Sequence, residues 1–265
     1  MKNVFCVFFL CFCCLLTNCQ RKSGNNNVDN TVDTFTETVK NPDFEMIEVK
    51  GGTITMGCTP EQGGDCRDAE KPAHQIQISD FFIGKYEVTQ AEWKAVMGDN
   101  PAHYKGDNLP VELVSWNDVQ EFIGKLNALT GIPYRLPTEA EWEFAARGGV
   151  NSKGYKYSGS NTANDVAWID SNSSKTTHPV GSKSPNELGI YDMSGNVMEW
   201  CADWLGQYTD GGKVNPKGAN SGTYRVGRGG SWNSQDRVVR VSARSGINPD
   251  SRAMNLGFRL AYSMN

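Results

Sequence analysis

Residues 189–204 read GIYDMSGNVMEWCADW. Asp192, Ser194, Asn196 and Glu199 offer hard oxygen ligands within eight residues, and Gly195 supplies a turn that can aim main-chain carbonyls inward. Calcium favours such mixed shells of carboxylate and carbonyl oxygen. An EF-hand loop is excluded, because the glycine falls at the fourth position and not the sixth. The same residues also suit a tight turn whose Asp and Asn satisfy nearby backbone amides.

Downstream, residues 228–240 read RGGSWNSQDRVVR. Two glycines permit a sharp turn or a close approach, and a tryptophan and three arginines surround it. The stretch holds no Cys, His, Lys or Tyr, and neither Ser231 nor Ser234 has a base beside it in sequence. More widely, Arg225, Arg228, Arg237, Arg240, Arg244, Arg252 and Arg259 crowd the C-terminal segment. They suit an anionic ligand site, or a set of forked donors tying loops to carboxylates and carbonyls. From residue 150 onward no long amphipathic helix is legible. Short strands are expected at TYRVGRGG and GFRLAY, among loops rich in Gly, Asn, Ser and Pro. A loop-rich domain of this size needs large buried side chains, and Trp93, Trp116, Trp142, Trp200 and Trp232 are candidates.

The first half is more regular. MIEVKGGTITMG alternates around Gly51–Gly52 and predicts a β-hairpin; AHQIQISDFFIGKYEVT predicts two further strands. Three helix starts share one design: Thr89 with Glu92, Ser115 with Asp118, and Thr138 with Glu141. The first and third are capping boxes, and the second is close to one. Val119, Phe122, Ile123 and Leu126 form an apolar stripe, and Gly131 and Gly148 are natural helix stops. Of Glu139, Glu141 and Glu143, the second is explained by capping, and the others face solvent or meet an arginine. Carboxylates on one helix do not provide the facing pair that glycoside hydrolysis requires. His74, His103 and His178 are too far apart for a local metal motif.

The chain opens with Lys2 and an apolar run over residues 4–16. The run is shorter than the ~20 residues of a membrane-spanning helix and fits a secretory signal over residues 1–18. LLTNC points to cleavage before Cys19 and its lipidation, although Asn18 is an unusual neighbour; the alternative is an uncleaved anchor. Residues 19–44 are polar and aperiodic and predict a disordered tether, with the globular part over 45–265. A formal net charge of −4 argues against a general nucleic-acid binder. Five of the eight cysteines lie in the leader. Of the rest, Cys58 and Cys66 flank a turn-rich loop and form the best disulfide pair, leaving Cys201 as a buried thiol.

Taken in order, GGTITMG, EKPAH, FFIGKYEVTQAEW, LPVELVSWNDV, YRLPTEAEWEFAARGG, HPVGSKSPNELGIYDMSGNVMEW, RVGRGGSW and NLGFRLAY resemble the formylglycine-generating enzyme, or sulfatase-modifying factor, family. The resemblance implies an α+β fold: one irregular, C-type-lectin-like domain with few helices, short strands and many loops. It implies calcium held by the side chains of Asp192 and Glu199 and the carbonyls of Gly195 and Val197. A second family calcium site matches poorly over residues 164–170 and is not carried over.

Catalytic members hold copper(I) on two cysteines just after the RGGS turn, as soft thiolates suit that ion. Here Ser234 stands at the first of those positions and the second has no counterpart, so no copper and no formylglycine-generating oxidase chemistry is expected. The turn then reads as one wall of a groove formed by Arg228, Trp232, Ser234 and Arg240. The expectation is an exported protein, lipid-anchored in a bacterial-type cell envelope. It would serve as a non-catalytic binding or assembly module for a peptide, a glycan or another envelope protein. The alternatives are an enzyme of other oxidative or sulfur-related chemistry, or a true formylglycine-generating enzyme.

Overall fold

The computed structural model describes residues 44–263. The expected leader (1–18), the lipidated Cys19 and the tether as far as residue 43 lie outside the described residues. Phe44 already belongs to the folded part: its ring meets Phe122 edge-on at 6.4 Å and Tyr134 at 5.7 Å.

In chain order the elements are β1 (Met46–Val49), β2 (Gly52–Met56), β3 (His74–Ile78), β4 (Phe81–Gly84), α1 (Gln90–Met97), α2 (Trp116–Thr130), α3 (Glu139–Ala146), α4 (Ala163–Val166), β5 (Met198–Trp204), β6 (Lys213–Val214), β7 (Arg225–Arg228), β8 (Arg244–Ile247), β9 (Leu256–Gly257) and β10 (Ala261–Tyr262). They form three small sheets, ordered β1-β4-β10, β2-β3-β6 and β8-β7-β5-β9.

The hairpin expected at Gly51–Gly52 is absent. β1 pairs antiparallel with β4, and β2 with β3. Residues 46–56 thus run as one kinked strand against residues 74–84. At the kink the Gly51 amide donates to Asp80 Oδ1 at 2.8 Å, so the two bends are fastened to each other. Alternation reported the strands correctly, but it carries no information on which strand is the partner.

The helix starts follow the capping pattern closely. Thr89, Ser115 and Thr138 each accept from the third helical amide, and Glu92, Asp118 and Glu141 each reach back to the cap amide. Asp118 therefore completes a box that usually takes Glu or Gln. Gly131, in the left-handed region, ends α2; α3 ends at Arg147, one residue before Gly148.

Two main apolar clusters lie beneath these elements. One gathers Val49, Ile76, Ile83, Trp142, Phe144 and Val226, and the other Trp93, Phe122, Leu126, Trp200 and Phe258. Among the described residues no helix is long and apolar enough to cross a membrane.

Candidate functional site

β5 is the longest strand, seven residues, and sits between β7 and β9. The segment leading into it is shaped by three residues in the left-handed region: Asp192 (φ 60°), Gly195 (φ 84°) and Asn196 (φ 54°). Gly195 is required for space as well, since a Cβ there would lie 2.3 Å from the carbonyl oxygen of Trp168.

Asn196 acts as the hub. Its side-chain oxygen accepts from the His178 amide at 3.0 Å, and its amide group donates to Glu87 Oε2 at 2.5 Å. Glu87 Oε1 in turn accepts from the Val197 amide at 2.9 Å. Ser194 donates to the Val239 carbonyl at 2.7 Å.

The two carboxylates assigned to calcium differ in how far they are already satisfied. Asp192 Oδ2 accepts from the Gly181 amide at 2.7 Å, whereas its Oδ1 is buried and has no hydrogen-bond partner. Glu199 meets Arg259 through both oxygens, and its Oε2 also accepts from Trp142 Nε1 at 2.7 Å. An oxygen with one donor keeps a second lone pair, so Oε1 of Glu199 retains some acceptor capacity.

Glu87, Asp192 and Glu199 thus bury three acids beside a single guanidinium. Burial, then the charges of Asp192 and Glu199, hold the Glu87 carboxyl well above the usual carboxylate range. Burial pushes Asp192 up to about 6 against the opposing Gly181 amide and Arg259. Among the described residues no three His, Cys, Asp or Glu side chains converge on a metal position. That count does not bear on the expected ligand set, which contains two carboxylates and main-chain carbonyls.

The glycine-rich turn lies against this segment. The Gly195 amide donates to the Gly229 carbonyl at 2.9 Å, and the Trp232 amide to the Asn196 carbonyl at 2.8 Å. Two motifs separated by some thirty residues in sequence therefore form one hydrogen-bonded unit.

Ser234 Oγ accepts from the Ser231 amide at 3.1 Å and lies 3.2 Å from Ser231 Oγ. Asn255 donates to Ser231 Oγ and to Asn233. These hydroxyls close a turn. Trp232 is mostly buried, with its indole donating to the Met254 carbonyl and its ring edge-on to Tyr104 at 5.7 Å.

Arg228 and Arg240, expected on a groove wall with Trp232 and Ser234, are turned into the interior. Both are 1% exposed. Arg228 is held by Glu143 and the Ala243 carbonyl, next to Glu139. Arg240 forks onto both oxygens of Glu70, each at 2.8 Å, and reaches the Asp65 carbonyl. Forked donors inside a loop-rich core must meet acceptors, and these two meet theirs within the protein.

Glu139 and Glu143, on α3, are likewise interior partners of Arg244 and Arg147. Cys58 and Cys66 are joined by a disulfide with Cα atoms 5.9 Å apart, and Cys201 is a buried free thiol. Of the histidines, His178 stacks on Trp168 at 3.7 Å, and His74 packs beside Tyr208.

The residues that sequence inspection passed over are Glu87, Tyr104 and Asp203. Glu87, between Tyr86 and Val88, and Asp203, between Ala202 and Trp204, are lone acids in apolar stretches, and that was the available signal.

Comparison with known proteins agrees with this architecture. Residues 31–264 match the sulfatase-modifying factor enzyme 1-like domain. The chaperone protein LppX of Paenibacillus barcinonensis is 34% identical over 71% of this chain and 82% of its own length. The formylglycine-generating enzyme of Thermomonospora curvata is 36% identical over 82% of this chain and 92% of its own. Among solved structures, Treponema denticola variable protein 1 superposes with a TM-score of 0.77 at 32% identity, covering 86% of this chain and 98% of that one. The irregular α+β architecture, the ordered motifs and these matches together place the chain in the sulfatase-modifying factor (formylglycine-generating enzyme-like) family.

Proposed function

We propose that this protein is a non-catalytic binding or assembly module on the sulfatase-modifying factor scaffold, exported and tethered to a membrane through Cys19. It would engage a peptide, a glycan or another envelope protein. The observation that carries this is Ser234. On the family resemblance it stands about where the first copper-binding cysteine belongs, and its hydroxyl is engaged with Ser231 in closing the turn. A hydroxyl cannot replace a thiolate on copper(I). The free thiol among the described residues, Cys201, is buried on β5, and burial pushes its pKa up, away from the thiolate that copper would need. The chaperone relative supports a role in holding another polypeptide.

Calcium belongs to the same proposal, as a structural ion. Asp192 Oδ1 is a buried acceptor without a donor, which is the kind of atom a cation satisfies. The Gly195 and Val197 carbonyls and the spare lone pair of Glu199 would complete the protein's share.

The deciding experiment incubates purified protein with copper and a sulfatase-motif peptide, and follows the cysteine by mass spectrometry. No conversion to formylglycine is expected, and crosslinking at the membrane should recover a partner. Turnover of the peptide would overturn the proposal.

A further inference from the structure

A second region, apart from the Ser231–Ser234 turn, has the features of a ligand site. Two cavities, of about 540 Å³ and about 660 Å³, meet β5 at Asp203. Their sizes lie in the range of small-molecule sites. Asp203 and Lys217 line both.

Asp203 is 4% exposed. Its Oδ2 accepts from the Glu139 amide at 2.9 Å, and among the described residues its Oδ1 has no hydrogen-bond donor. Gly218 (φ 70°) lies over it so closely that a Cβ there would be 2.7 Å from Oδ1. Both cavities reach Asp203.

The neighbouring acids are already matched. Glu139 is held by Arg244, Glu141 by Arg135 through both oxygens, and Asp80 by Lys50. Arg225 is clasped between the rings of Trp116 and Trp204, at 3.8 and 3.6 Å, and donates to the Ala202 carbonyl. Lys217 is exposed and makes no salt bridge among the described residues. Of the acids lining the cavities, Asp203 alone makes no salt bridge among the described residues; Arg225 and Arg244 act on it only at longer range. Met56, Ala140, Val214 and Pro216 supply apolar wall beside it.

We propose that this cleft binds a primary alkylammonium group, the cation against Asp203 Oδ1 and the alkyl stem along Met56, Ala140 and Val214. A free amine and a lysine side chain share this chemistry. A buried acid without a counter-charge is unfavourable, and an incoming ammonium relieves it while its stem leaves water. Burial, then the charge of Glu139, push the Asp203 carboxyl up to about 7, with Glu141 acting the same way and Arg244 opposing. Binding should therefore strengthen between about pH 6 and about pH 8 as the acid ionises.

The test is an NMR titration of the full chain with pentylamine and with N-acetyl-lysine methylamide. Pentanol and N-acetyl-norleucine methylamide serve as uncharged counterparts. The amines should bind and the counterparts should not. Asp203→Asn, which keeps an acceptor for the Glu139 amide, should weaken binding at least about tenfold. Lys217→Gln should tighten it about twofold by removing a like charge.

Binding of both amines assigns the site to free amines as well; binding of the lysine derivative alone assigns it to a polypeptide. Should Asp203→Asn fail to fold, Lys217→Gln and the pH profile of the wild type decide. Equal binding of amines and counterparts, or wild-type affinity in Asp203→Asn, would overturn the proposal.

Discussion

Arg259 faces Glu199 through two parallel hydrogen bonds, Nε to Oε2 and Nη2 to Oε1, each 2.6 Å long. The same guanidinium donates to the carbonyls of Gly84 and Tyr191, so one side chain joins the C-terminal strands to β4 and β5. Both partners are 0% exposed. Removing one member of such a pair leaves the other buried and uncompensated, at a cost of about 3–5 kcal/mol. Arg259→Met should lose that much in urea unfolding, because Glu87 and Asp192 share the same cation. A loss below about 1 kcal/mol, the level of an exposed pair, would show that the cluster is not sealed from water.

Calcium, if it occupies the 192–199 segment, stabilises the fold by mass action. At a free concentration about a hundredfold above Kd the gain is about 2.7 kcal/mol. For a domain of this size that is roughly 5–10 °C in Tm. EDTA should lower the wild-type Tm by that amount and added calcium should restore it. Asp192→Ala should melt low with and without EDTA. An EDTA-insensitive wild type removes calcium from the account.

The Cys58–Cys66 bridge spans eight positions. Closing so short a loop is worth about 2–3 kcal/mol in the chain-entropy account. Cys58→Ser with Cys66→Ser should lose that stability. The loss should also loosen Arg240, since Asp65, inside the loop, offers it a carbonyl. Equal denaturation midpoints for the two proteins would mean that the loop is held without the bridge, by Arg147 on Thr59 and Glu61, Lys156 on Asp65, and Arg240 on the Asp65 carbonyl.

Asp203 makes a signed prediction about pH. Its folded pKa, near 7, lies above its ordinary value of 3.8. Between those values the native state binds more protons than the unfolded one, so this group's contribution to stability falls as pH rises through that window. Asp203→Asn removes the dependence. The Tm of the variant relative to wild type should therefore increase from about pH 5 to about pH 8. A difference that stays constant across the window would show that Asp203 is ionised throughout.

The first half of the fold was legible because its signals are local. Thr89, Ser115 and Thr138 announce helices through contacts three residues away, and Val119, Phe122 and Leu126 announce a buried face. β5 was not legible as a strand. It is buried on both sides, so Trp200 and Cys201 are equally hidden and the alternation that reveals a half-exposed strand is lost.

The site was legible in part. Asp192, Gly195 and Asn196 betray an unusual backbone by composition alone. That Arg228 and Arg240 point inward depends on Glu143 and Glu70, 85 and 170 residues distant, and no local pattern reports such a meeting. Asp203 was hidden for the same reason, since its isolation follows from where the arginines of other segments spend their charge.

The buried ion pairs also set the order of events in folding. Glu199–Arg259 closes over 60 residues, Glu143–Arg228 over 85, Glu139–Arg244 over 105 and Glu70–Arg240 over 170. None can form until Arg228, Arg240, Arg244 and Arg259 are available. Contacts of such long range must meet loop-closure entropy before they contribute, which slows folding and makes it all-or-none. While the chain is being synthesised, Glu70, Glu139, Glu143 and Glu199 wait without their guanidinium partners. Until those arginines arrive the carboxylates stay hydrated, because burying an unpaired charge is unfavourable.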